Sequence, residues 1–174
     1  MRDLTGPTQS RAIRDLLQSL FVMEALQTSR SLWLLSAWVT DAPVIDNSAR
    51  QFAGVDAEWS AGDVVLSAVL RTILERGGVV NVVTRNDEIN APFIETARRL
   101  RALFGRRLGL VLEPNFHDKG LVGDRFEVAG SMNFTRKGIT TNDEHVMYRT
   151  DVAQIAERRL VLSNLWQARL HAAG

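Results

Sequence analysis

Apolar residues recur along the chain in two periods, and the switches between them outline the elements. Over residues 9–28, Ile13, Leu16, Leu17, Leu20 and Phe21 fall at helical spacing with Arg11, Arg14, Asp15 and Gln18 opposite, which predicts an amphipathic helix. Residues 31–39 hold the unbroken run Leu32-Trp33-Leu34-Leu35-Ser36-Ala37-Trp38-Val39, the signature of a buried strand. A polar stretch with Pro43, Gly54 and Gly62 covers residues 40–62; so long a connection is uncommon unless it serves a purpose, such as a lid, a specificity element or packing against a partner.

A second helix is predicted from Asp63, with Val64, Leu66, Val69, Leu70, Ile73 and Leu74 on its apolar side and Gly77-Gly78 as its stop. The β-branched run 79–84 predicts a central strand. Asn90 and Pro92 mark the start of a third helix, expected to bury Phe93, Ala97, Leu100, Leu103 and Phe104. Strands are predicted at Leu108–Leu112, 116–119, 125–129 and 144–148, with a turn over 120–124 and a loop over 131–138. A closing helix is expected over 151–171, with Ile155, Leu162, Leu165, Trp166 and Leu170 in one stripe. Helices alternate with strands and strands then cluster. The pattern predicts one α/β domain over residues 1–174, with a mixed, mostly parallel sheet flanked by helices on both faces.

Composition removes options rather than adding them. Apolar content of 45% and charged content of 24% fit an ordinary globular domain, and a net charge of +1 singles out no partner. The chain has no cysteine, so disulfides, thiolate metal sites and cysteine nucleophiles are excluded, and a cytoplasmic location fits. No long apolar run follows Arg2, so no secretory leader is expected. The run at 32–39 is far short of the roughly twenty residues that cross a bilayer, so no membrane association is expected.

The candidate chemistry is concentrated between residues 117 and 144. On an extended segment His117 and Lys119 share a face while Asp118 points away. A neutral imidazole there can attack phosphorus, and Lys119 can hold a non-bridging oxygen as charge grows. Gly130 would let a phosphate approach the backbone, and Ser131 and Asn133 are expected to donate to its oxygens. A Glu144 carboxylate bonded to the imidazole Nδ1–H would fix the tautomer. Asp124 reads as a structural acceptor that ties down the turn. Arg136 and Lys137 follow directly and are candidates for substrate contact. His117, Asp118 and His145 lack metal-ligand spacing, so no metal and no cofactor are expected. His145 and His171 read as ordinary histidines, and Trp33 and Trp38 as core. Arg98, Arg99, Arg101, Arg106 and Arg107 read as a solvated helix face, with a track for a nucleic-acid backbone as the alternative.

The order His117-x-Lys119-x4-Asp124, Gly130-Ser131-x-Asn133, Asn142-x-Glu144 resembles the phospholipase D superfamily signature. The segments 32–38 and 41–47 resemble its DpdK subgroup, linked to clusters that handle 7-deazaguanine in DNA. The resemblance implies a phospholipase D-like lobe and two-step hydrolysis of a phosphodiester through a phosphohistidine, with a second histidine protonating the leaving oxygen. The chain carries the motif once and has three histidines. Single-motif members of the superfamily pair as two-fold dimers, so a homodimer with one shared site is expected, each subunit giving His117, Lys119, Ser131, Asn133 and Glu144. The expected activity is that of a nuclease on nucleic acid, DNA in the first place, within a bacterial DNA-modification or defence system. Phospholipid hydrolysis or transfer, and a non-catalytic DNA-binding scaffold, are the rivals.

Overall fold

The computed structural model describes residues 2–4, 10–140 and 144–171. Its elements in chain order are β1 (Arg2–Leu4), α1 (Ser10–Leu26), β2 (Leu32–Leu35), β3 (Pro43–Asp46), β4 (Asp63–Val65), α2 (Leu66–Glu75), β5 (Val80–Thr84), α3 (Ala91–Phe104), β6 (Leu108–Leu112), β7 (Gly120–Val122), β8 (Glu127–Gly130), α4 (Arg136–Thr140), β9 (Val146–Arg149) and α5 (Val152–Trp166).

Seven strands form one sheet in the order β1-β9-β8-β7-β2-β5-β6. The mixed sheet with helices on both faces is as expected, but its balance is not mostly parallel. Among the described residues, only β2–β5 and β5–β6 pair in parallel in this sheet; β1–β9, β2–β7, β7–β8 and β8–β9 are antiparallel. The parallel half is made by two helical crossovers, and the antiparallel half by short returns that need none.

Side-chain alternation divides the core between the two faces. Leu32, Leu34, Val80, Val82, Leu108, Leu110, Leu121, Val128 and Val146 pack with α1, α2 and α3. Trp33, Leu35, Val83, Val111 and Val122 turn the other way and meet Leu162, Trp166 and Leu170 from α5 and its exit. Burial of a large side chain in either cluster contributes about 1.5–3 kcal/mol.

Several expected boundaries move. Residues 120–122, expected as a turn, are β7, buried between β2 and β8; the turn falls at 123–126. Residues 63–65 form β4 rather than the first turn of α2. The 40–62 stretch is organised: β3 pairs with β4, and buried Asn47 bonds Trp59 O, Ser60 O and Phe52 N. Asp41 is spent on Ser67 N and Oγ, both at 2.7 Å, at the start of α2. Leu103 and Leu165, expected in the core, are 73% and 60% exposed.

Candidate active site

The candidate residues collect at one end of the sheet because the register brings their strand ends side by side. Val83, Leu35, Gly120, Ala129 and Met147 lie in one row across β5, β2, β7, β8 and β9. Arg85 follows β5, Ser36 to Trp38 follow β2, His117 to Lys119 lead into β7, Ser131 to Asn133 leave β8, and Glu144 precedes β9. The chain steps outward from β2 through β5 to β6, then returns to the other side of β2 as β7. Crevices beyond the strand ends at such a reversal are where open α/β sheets bind ligands.

The loop that presents His117 is held from beneath by α5. Phe116 is buried and meets Trp166 edge to face, centroids 5.8 Å apart. Asp118, the residue pointing away, ion-pairs with Arg158. His117 itself is exposed, and Lys119 Nζ donates to the His117 carbonyl at 2.8 Å, which leaves two of its protons for a ligand.

Arg85, which the sequence reading passed over, is the nearest group to the imidazole. Its Nη2 lies 2.8 Å from both ring nitrogens of His117, and its Nε donates to Phe116 O at 2.6 Å. The guanidinium also sits 5.0 Å from the centre of the Trp38 ring. Arg85 stands just after a buried β-branched strand, where the sheet end faces the crevice. That placement was a usable signal.

Glu144 is buried and accepts the Ser131 hydroxyl proton, while the imidazole faces Arg85; the expected carboxylate–imidazole bond is not the arrangement seen within one chain. Ser131 Oγ also accepts His145 N–H at 3.0 Å. Its proton is therefore directed at Glu144 and not outward to a ligand. Asn133 Oδ1 accepts Trp38 N–H at 3.2 Å, which orients the carboxamide and leaves its NH2 as a donor. Gly130 has a nearer reason than phosphate access: an added Cβ would lie 1.9 Å from His145 O, so the adjoining strand requires glycine. Asn142 lies outside the described residues.

Asp124 sits away from the imidazole and has a structural environment. Its Oδ2 accepts Arg30 N at 2.9 Å, and its Oδ1 ion-pairs with Arg159 at 2.7 Å. Asn90 departs from its expected part as a helix cap. It is fully buried and makes no cap bond; instead it accepts Val39 N–H and donates to Ala37 O, Thr84 Oγ1 and Arg85 O, tying the ends of β2 and β5 together beneath the site. Trp33 is buried, but Trp38 is only half-buried and lines a groove of about 480 Å³ with Thr40, Ile89, Asn133, Thr135, Arg136 and Lys137. His145 is exposed, and His171 lies with Arg101 and Arg106 in a separate recess. Arg107 is turned to the C-terminus of α2, donating to Leu74 O. Among the described residues, no group of three or more His, Asp or Glu stands close enough to hold a metal, and no helix is long and apolar enough to cross a membrane.

Comparison with known proteins gives one family. A family model described as cardiolipin synthase, PLD-like domain, matches residues 44–166, more than half of the 174-residue chain. Among solved structures the chain is similar to NucT from Helicobacter pylori (12% identity, TM-score 0.59, covering 98% of this chain and 97% of that one). It is also similar to Nuc, a phospholipase D family member from Salmonella typhimurium (20% identity, TM-score 0.56, covering 97% and 91%). A third likeness is to TrmBL2, an archaeal chromatin protein described as having a novel mode of DNA binding (13% identity, TM-score 0.54, covering 98% and 53%). At these identities the likeness is one of fold. No curated protein matches the chain in sequence.

Proposed function

The chain belongs to the PLD-like domain family, and from that premise we propose that it is a metal-independent phosphodiesterase that cuts DNA through a phosphohistidine. The observation that carries this reading is the convergence of His117, Lys119, Arg85 and the Asn133 carboxamide at one end of the sheet.

In the proposed reaction a phosphate draws the Arg85 guanidinium onto its own oxygens, freeing the imidazole lone pair. His117 attacks phosphorus; the P–N bond forms as the P–O bond to the leaving group breaks, and the leaving oxygen takes a proton from a second imidazole. Water then gives a proton to that second imidazole and attacks phosphorus, the P–N bond breaks, and His117 is restored. Lys119, Arg85 and Asn133 stabilise the charge that gathers on the non-bridging oxygens. Single donors of this kind contribute about 3–4 kcal/mol in comparable sites.

One imidazole cannot be nucleophile and acid in the same step. The second is assigned to His117 of another copy, in a two-fold homodimer with a shared site, and Glu144, held by Ser131, is assigned to orient an imidazole there. The exposed apolar residues Leu160, Val161 and Leu165 on α5, the helix that braces the His117 loop, support a surface that another subunit covers. Arg136 and Lys137, exposed beside Asn133, support a polyanionic substrate. The resemblance to the DpdK subgroup supports a setting in bacterial DNA modification or defence, with other proteins of such a cluster as partners.

The test is to incubate the protein with plasmid and single-stranded DNA in EDTA, alongside phospholipid vesicles. Cutting of DNA that survives chelation and disappears in His117→Ala is the expected result. Release of lipid headgroups without DNA cleavage would overturn the assignment in favour of a lipid enzyme, and tight DNA binding without turnover would favour a scaffold.

A further inference from the structure

The groove beside Asn133 shares that residue with the reaction above, but the rest of its lining is unlike that of the site it adjoins. Its apolar surface comes from Trp38 and Ile89, and Ile89 is 56% exposed, which is unusual for isoleucine without a reason. Its rim carries Arg136 and Lys137, and among the described residues neither side chain has an ion-pair partner. Trp38 is braced rather than loose. Its N–H donates to Asn133, its carbonyl accepts the Ser36 hydroxyl at 2.6 Å, and Arg85 stacks on its ring from outside the groove. The same guanidinium reaches His117, so the indole and the nucleophile are held by one side chain.

Resting on the phosphodiesterase reading, we infer that this groove is a subsite for one unpaired nucleobase flanking the scissile phosphate, with Trp38 as its stacking platform. A flat π surface next to an aliphatic contact suits a base, and every base has a face to offer. The two cations beyond it suit the next phosphate along the strand, while His117, Lys119 and Asn133 take the scissile one. A groove of about 480 Å³ is of the size that holds a small ligand. It is rimmed by charge and floored by only two large apolar side chains, which suits a nucleotide better than an acyl chain. Because stacking needs an unpaired base, the subsite selects single strands over duplex.

The test compares a thymidine oligomer with an abasic oligomer of the same length and charge, each read twice: by cleavage in EDTA and by fluorescence anisotropy. Wild type is expected to prefer the base-bearing oligomer about tenfold in both readouts. Trp38→Ala should lose that preference, the two oligomers then being handled alike at whatever level Arg85 keeps without the indole beneath it, and Trp38→Phe should keep most of it. Arg136→Ala with Lys137→Ala should weaken both oligomers equally and flatten the salt dependence. Equal handling of the two oligomers by wild type, or an equal loss on both in Trp38→Ala, overturns the subsite. So does displacement of the oligomer by phosphatidylglycerol vesicles when no base preference is present. Base-selective binding without cutting contradicts the phosphodiesterase reading and leaves the groove standing; cutting without base preference does the reverse.

Discussion

The face of the sheet covered by α1, α2 and α3 is closed by apolar contacts alone over most of its area, with Phe21, Leu34, Leu66, Leu70 and Phe93 almost wholly buried. The face covered by α5 has a smaller apolar cluster, and beside it charge takes over. Glu127, buried in β8, pairs with Arg149 from β9 at 3.1 Å and with Arg158 from α5 at 3.5 Å, and Arg158 also holds Asp118 next to His117. On its outer side α5 leaves Leu160, Val161 and Leu165 exposed. One face holds the domain together. The other holds the reactive loop in place and keeps a surface uncovered. The lesson is that the parts a site depends on are not the parts that stability depends on, and substitutions should separate the two.

Phe93→Ala should have the largest effect on folding, a loss of about 3–5 kcal/mol seen as a lower denaturation midpoint, with activity per folded molecule unchanged. Arg158→Ala should cost less, about 1–2 kcal/mol after allowing for its partial exposure, because Arg149 still faces Glu127. It should nonetheless lower turnover at least tenfold, because Asp118 is released. If turnover instead tracks stability in both variants, the division between the faces is wrong. Leu165→Asp should change the stability of the single chain by less than about 0.5 kcal/mol, yet sedimentation should show weakened self-association; an unchanged sedimentation profile removes α5 from the subunit contact.

The smallest effects are in pH dependence, and they carry opposite signs. Burial of Glu24 in the last turn of α1 holds its carboxyl above the ordinary range, although Ser29 and Arg125 oppose the shift. The folded state then binds the proton more tightly, so this group's contribution to stability falls as pH rises above 4.5. His171, beyond α5, is held below its ordinary value by burial and then by Arg106 and Arg101. Its contribution is full above 6.5 and is lost as pH falls through the window beneath. Glu24→Gln should remove the first trend and His171→Ala the second, each by tenths of a kcal/mol in midpoint measurements across pH 4–7.

Much of this could be read from the sequence where the signal was periodic or local. The runs at 32–35 and 80–84 became central strands and the run at 108–112 the edge strand beside them, each buried on both faces. His117, Lys119 and Asn133 were legible because motif spacing keeps them on neighbouring strand ends. What escaped depends on contacts between distant residues. β3, β4 and β7 have three or four residues each, too few for a period to declare itself. Gly120–Val122 reads as a turn because glycines flank it, yet it is sealed between two strands. Asn90 resembles a cap locally, while its four bonds go to the ends of β2 and β5. Arg85 reaches His117 from thirty-two residues away; its place just after a buried strand marks it as near the sheet end, but no local pattern pairs it with the imidazole.

The central claim is a covalent bond between His117 and phosphorus. Rapid quenching of the protein during cleavage of a DNA strand labelled at its internal phosphates should trap protein carrying the label in an acid-labile, alkali-stable linkage. Peptide mapping should place that label on His117, and His117→Ala should give none. Sustained cleavage in EDTA with no labelled protein at any quench time, or label on another residue, would contradict the account.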